Sequence, residues 1–205
     1  MVNKNLHFIW IPKCAGTSIC SCLKLNKFDD VKRFDKKLCG GDSTLGHFSI
    51  QFALDNDLMD KKYFDNCFKF CVSRNPYDRL VSLYFHYKKT YAHFPFKTFK
   101  DFAIFLPLIK IHGIGPYNVK IFSQLNPQVV WLYDKNGKSL FDCVLRFESL
   151  ETDWKEFCRK RGIDKKLPVL NTTKHKDYMS YYDDYTKRIV STFYDWDFKV
   201  FGYKK

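Results

Sequence analysis

The segment Leu6-His-Phe-Ile-Trp-Ile11, followed at once by Pro12-Lys-Cys-Ala-Gly-Thr-Ser18, constrains the chain most. The first six residues are β-prone and stop at a proline, which has no backbone N–H with which to continue a ladder. After Gly16 the run Thr17–Leu25 predicts a helix, with Thr17 or Ser18 near its start. Strand, tight loop and helix in that order let several backbone N–H groups point into one concavity, with the partial positive charge of a helix N-terminus behind them. Small residues at Ala15, Gly16, Thr17 and Ser18 allow an anion to come close. This is the design of a phosphate cradle, although an ordinary tight strand-to-helix turn can be spelled with the same letters. It is not the triphosphatase loop G-x-x-x-x-G-K-[ST], because Lys13 precedes Gly16 and the first glycine is absent. Lys13 therefore reaches an anion from the strand side.

A second candidate lies at Val72-Ser-Arg-Asn-Pro-Tyr-Asp-Arg-Leu-Val-Ser-Leu-Tyr84. Phe68–Ser73 reads as a strand, Asn75 as an N-cap and Pro76 as the first residue of a helix running to about Lys89. Arg74 then leaves a strand end just ahead of a helix, where its planar fork suits a phosphate. Arg79 and Ser82, three apart, share a helical face. A structural arginine at a sheet edge and a serine facing solvent fit the same string.

Val129–Tyr133 and Cys143–Phe147 read as two further strands, and a helix opens at Ser149 and ends near Gly162. Phe99–Leu106, Pro116–Leu125 and Asp184–Tyr194 also fit helices. Lys135–Lys138 is a turn, and Lys165–Asp177 is a polar loop. Strands alternating with helices predict an α/β fold, a three-layer α/β/α sandwich with a mainly parallel sheet. With 205 residues, 45% of them apolar, and no linker or repeat, one domain over residues 1–205 is expected.

The formal charge of +13 attracts anions without choosing among nucleic acid, membrane, nucleotide and acidic polymer. No helix-turn-helix, finger or RNP-type string supports nucleic acid as the partner, and the basic residues are scattered. The eight cysteines contain no C-x-x-C pair. The apolar run Leu6–Ile11 is too short for a signal core or a membrane span, so a cytoplasmic chain with reduced thiols and no transmembrane segment is expected.

Taken together, Lys13-Cys-Ala-Gly-Thr-Ser18 and Arg74-Asn-Pro-Tyr-Asp-Arg-Leu-Val-Ser82-Leu-Tyr84 resemble the two donor-binding motifs of sulfotransferases that use 3′-phosphoadenosine-5′-phosphosulfate (PAPS). The likeness is closer to the carbohydrate branch with the heparan sulfate 2-O- and chondroitin sulfotransferases. It continues in Leu145-Arg-Phe-Glu-Ser-Leu150 and Asp197-Phe-Lys-Val-Phe-Gly-Tyr203. The resemblance implies a P-loop-NTPase-like sulfotransferase fold and O-sulfation of an acceptor hydroxyl, a saccharide by the branch. It also implies that Lys13, Ala15, Gly16, Thr17 and Ser18 hold the 5′-phosphosulfate, while Arg74 and Ser82 hold the 3′-phosphate. Gly46-His47-Phe48 resembles the segment carrying the catalytic base, which makes His47 the expected base and Lys13 the group that meets charge on the leaving phosphate. Arg79 is expected to join Lys13 and Arg74 in offsetting the donor's charge without a metal ion. The chain departs from the branch in having little room between the second motif and Val129 for a long polysaccharide clamp. A phosphate- or nucleic-acid-binding module without catalysis, and a kinase-like P-loop enzyme, are the rival readings.

Overall fold

The computed structural model describes residues 6–24, 49–55, 57, 59–108, 123–170 and 176–205. Strand β1 (Leu6–Ile9) leads into helix α1 (Gly16–Leu23), and short helices α2 (Ile50–Asp55) and α3 (Lys61–Asn66) precede β2 (Phe68–Ser73). The Asp60 carboxylate caps α3 by accepting from the Tyr63 N–H at 2.9 Å. Helix α4 (Pro76–Thr90) follows β2 directly, then α5 (Phe99–Phe105), β3 (Cys143–Arg146), α6 (Leu150–Arg161), α7 (Asp184–Phe193) and α8 (Asp195–Phe201). Among the described residues no helix is long and apolar enough to cross a membrane.

The described strands form one parallel sheet in the order β1-β2-β3, so the fold is α/β. Leu6 pairs with Phe68 and Ile9 with Cys71; Phe70 pairs with Cys143 and Ser73 with Arg146. A parallel sheet must be covered, and the central strand shows it: Phe70, Cys71, Val72 and Ser73 are all buried. One core joins the sheet to Ile19 and Leu23 of α1, Phe52 of α2, Phe64 of α3, and Trp154 and Phe157 of α6. A second core, rich in aromatic rings, packs α4 against α5, α7 and α8 through Tyr84, Tyr87, Phe102, Val190 and Phe198. Gly162 ends α6 in the left-handed region (φ 62°), as a C-terminal glycine does at low cost.

Two segments differ from the sequence expectation. Val129–Tyr133 is not a strand: Gln128–Trp131 forms a 3₁₀ turn, and Tyr133 makes only an isolated antiparallel bridge to Ser139. The cause is the buried Asp197 carboxylate, which accepts from the N–H groups of Gln128 (2.8 Å) and Val129 (3.0 Å) and so occupies donors a sheet would need. The carbonyls of Pro127 and Val129 then close tight turns onto Val130 and Leu132. Of the helix expected over Pro116–Leu125, residues 116–122 lie outside the described residues, and Ser123–Leu125 is a single 3₁₀ turn.

Because all three strands run the same way, their carboxyl ends share one edge. The loop after β1, Arg74 after β2 and Phe147 after β3 therefore lie side by side, where open α/β sheets place ligands.

Candidate active site at the carboxyl edge of the sheet

The loop after β1 turns twice through the left-handed region, at Lys13 (φ 66°) and Ala15 (φ 57°), conformations that cost a non-glycine residue roughly 1–2 kcal/mol each. Alternation of this kind turns successive N–H groups toward one side. The helical ladder of α1 begins only with the Ile19 N–H donating to the Ala15 carbonyl at 3.1 Å, and no side chain caps the helix. The N–H groups of Gly16, Thr17 and Ser18 thus have no acceptor within their own helix. Gly16 is required by close approach, since a Cβ there would lie 1.9 Å from the indole nitrogen of Trp10. Ser18 is buried, and its Oγ accepts from the Leu170 N–H at 3.2 Å, which leaves its own proton free to be donated elsewhere.

Lys13 is half-buried, and its ammonium is held below the usual lysine range by burial first and by the nearby Arg74 guanidinium second. A lysine under that pressure gains from an arriving anion. Its neighbour Cys14 is not a nucleophile. Burial pushes the thiol up to about 12, and its Sγ lies 3.3 Å from Gln128 Oε1.

Arg74 stands where the sequence placed it, one residue past β2. Its Nε and Nη2 donate to the two carboxylate oxygens of Asp78 at 2.7 and 2.9 Å, and its Nη1 donates to the Lys13 carbonyl at 3.0 Å. The guanidinium also lies 4.0 Å from the centre of the Phe147 ring. Arg74 is thereby aimed at the first loop before any ligand arrives. The Asn75 side chain caps α4 by accepting from the Tyr77 N–H, and its own N–H donates to Glu148 Oε1 at 2.6 Å. The hydroxyl of Tyr203 donates to Glu148 Oε2 at 2.9 Å and lies 3.1 Å from Ser73 Oγ, tying the carboxyl-terminal segment to the same edge.

Arg79 departs from expectation. It is 1% exposed, and its three nitrogens donate to the carbonyls of Pro12 (3.1 Å), Asn126 (3.0 Å) and Gln124 (2.6 Å). It braces the loop from beneath instead of meeting an anion. Ser82 is buried on the same face of α4. Four residues further along that face is His86, a residue the motifs do not single out. Burial, then the charges of Lys13 and Lys89, push its imidazole down to about 4, so it is neutral at physiological pH. His47 lies outside the described residues. Among the described residues no group of three or more His, Cys, Asp or Glu side chains is placed to hold a metal ion.

Trp10 and Glu148 lie inside segments the sequence singles out without being picked from them, and His86 lies outside the motifs. Each meets a neighbour that only folding supplies: Trp10 lies against Gly16, Glu148 accepts from the Asn75 N–H, and His86 feels the charge of Lys13.

Comparison with known proteins agrees with the geometry. An uncharacterized protein of Archaeoglobus fulgidus is 30% identical over 119 residues, covering 58% of this chain and 88% of that protein. No solved structure matches. Residues 2–204 match the Sulfotransferase family, which takes in both motifs and the carboxyl-terminal tie, and the chain belongs to that family.

Proposed function

We propose that the chain, acting as one domain, transfers the sulfuryl group of PAPS to a hydroxyl of an acceptor, a saccharide. The observation that supports this reading is the meeting of the two motifs: the Arg74 guanidinium donates to the carbonyl of Lys13 across the sheet edge. A donor carrying phosphate at two positions needs two anion sites at a fixed spacing, and a single cradle does not provide that.

In this reading the N–H groups of Gly16, Thr17 and Ser18 and the ammonium of Lys13 take the 5′ end of the donor, while Arg74 and Ser82 take the 3′-phosphate. The acceptor oxygen forms a bond to sulfur as the bond from sulfur to the 5′-phosphate oxygen breaks, and the acceptor proton passes to His47. Adenosine 3′,5′-bisphosphate leaves. Lys13 stabilises the charge that builds on the leaving oxygen. Positioning and charge stabilisation dominate such a transfer, which leaves the protein little covalent work.

Calorimetric titration with adenosine 3′,5′-bisphosphate and with 5′-AMP tests the assignment. The bisphosphate is expected to bind more tightly. Arg74→Ala should remove roughly 1.5–3 kcal/mol of its binding and Ser82→Ala roughly 0.5–1.5 kcal/mol, with 5′-AMP little affected. Equal affinities for the two nucleotides in the wild-type chain would mean that no 3′-phosphate site exists. Incorporation of labelled sulfate from PAPS into a panel of saccharides, phenols and lipids then identifies the acceptor class.

A further inference from the structure

We infer that Gln128 is a positioning residue that fixes the strand-end Arg74 against the first loop, and so sets the site's selectivity for a donor with a second phosphate. The inference rests on the functional reading above.

Strand β2 ends at Ser73, whose partner in β3 is Arg146, so Arg74 lies one residue beyond the ladder. A backbone there has an N–H and a carbonyl with no strand beside them. The Gln128 side chain takes that place. Its Oε1 accepts from the Arg74 N–H at 2.9 Å, and its Nε2 donates to the Arg74 carbonyl at 2.8 Å. One planar amide thus pairs both polar groups of one residue, as a neighbouring strand would. The remaining capacity of the amide is filled too: Oε1 lies 3.3 Å from the Cys14 thiol in the first loop, and Nε2 donates to Asp197 Oδ2 at 3.2 Å. Asp197 in turn fixes the backbone of Gln128 through that residue's own N–H at 2.8 Å. Gln128 and Asp197 are both fully buried, so water cannot replace these partners.

The chemistry explains why a glutamine serves. The position needs an acceptor for the Arg74 N–H and a donor for the Arg74 carbonyl a short distance apart, and it must also donate to a carboxylate. An amide meets all three demands, whereas an ionised carboxylate has no donor and an apolar side chain has neither. Fixing the Arg74 backbone fixes where its guanidinium starts. The Asp78 carboxylate and the Lys13 carbonyl then set its direction.

Amide hydrogen exchange and nucleotide binding test this together. In the wild-type chain the Arg74 amide should be protected like the amides of Cys71 and Val72 within β2, despite lying beyond the strand. Gln128→Met should speed Arg74 exchange by about tenfold or more while Cys71 and Val72 keep their protection, whereas Gln128→Glu, which keeps an acceptor for the Arg74 N–H and loses the donor to its carbonyl, should speed it less. Both variants should lose about tenfold in affinity for adenosine 3′,5′-bisphosphate and less than about threefold for 5′-AMP. Three results would overturn the inference: an unprotected wild-type Arg74 amide, faster exchange spread evenly over β2, or equal losses for the two nucleotides. If wild-type protein binds both nucleotides equally, the selectivity half of the inference falls with the donor reading. The exchange measurement still decides whether Gln128 holds Arg74.

Discussion

The Nη1 of Arg74 donates to the carbonyl of Lys13 at 3.0 Å, joining two segments 61 residues apart in the chain. The contact uses the backbone carbonyl of Lys13 and not the ammonium at the end of its side chain. Lys13 is also strained, at φ 66°, so the residue that offers its carbonyl to Arg74 is one of the two left-handed positions that shape the loop. The loop after β1 and the residue after β2 are therefore built as one unit, and damage to either is expected to be felt at the other.

Lys13 should separate function from stability. Burial and Arg74 lower its affinity for a proton relative to the unfolded chain, so at neutral pH, where both states carry the charge, the free folded protein bears an unfavourable interaction. Lys13→Met removes that charge, and its melting temperature without ligand should equal or exceed that of the wild type. Turnover should fall by about 100- to 1,000-fold, the usual effect of losing one transition-state charge donor. Wild-type turnover in Lys13→Met would end the role given to this residue.

Arg79 should behave in the opposite way. Its guanidinium satisfies three carbonyls in the interior, and the buried Asp197 feels its positive charge. Arg79→Met leaves those carbonyls without donors and Asp197 without its cation, which should cost about 3–5 kcal/mol in chemical denaturation. Arg79→Lys should recover little, since one ammonium on a flexible stem cannot span three diverging acceptors. A variant of wild-type stability would show that the guanidinium is free to serve a ligand after all.

How far the sequence disclosed the site follows from how local each signal is. The strand Phe68–Ser73, the cap at Asn75 and the proline opening α4 are all short-range effects, and they form where the residues predict. Ala15, Gly16, Thr17, Ser18 and Arg74 take the expected places at the sheet edge for the same reason. Val129–Tyr133 misleads because its β-branched and aromatic composition is overridden by Asp197, a partner almost 70 positions away. Arg79 misleads likewise: helical spacing puts it on a face with Ser82, but only the fold shows that carbonyls of the chain itself fill that face. Gln128, one residue ahead of the segment read as a strand, shows its contacts only once Arg74 and Cys14 lie beside it.

His86 gives a prediction in pH. Its folded-state imidazole titrates near 4 while the unfolded chain takes up the proton near the ordinary 6.5. Above that value both states are neutral and the residue contributes no pH dependence. As pH falls from about 6.5 toward about 4 the unfolded chain binds the proton first, and stability should decline across that window. His86→Gln should flatten this part of the melting temperature against pH curve. A bound anion offsetting Lys13 should also raise the imidazole's titration point, visible as a shifted NMR titration when inorganic phosphate is added. An unchanged acid limb in the variant would remove His86 from the neighbourhood of the loop's charge.

The base is the assignment with most at stake. If His47 takes the acceptor proton, His47→Ala should keep its fold and its affinity for adenosine 3′,5′-bisphosphate, because an imidazole aimed at the acceptor needs no contact with the nucleotide. Turnover should fall by about 100- to 10,000-fold, the range for losing a positioned acid–base group. The wild-type rate should climb with pH through an apparent pKa near histidine's, about 6.5 before any shift, and that limb should vanish in the variant. His86 supplies the contrast. Its imidazole is pushed down to about 4, so a rate limb governed by it in the free protein would lie well below that of an ordinary histidine. A limb near 6.5 that survives His47→Ala would take the base role from His47, and a limb near 4 that vanishes in His86→Gln would hand it to His86.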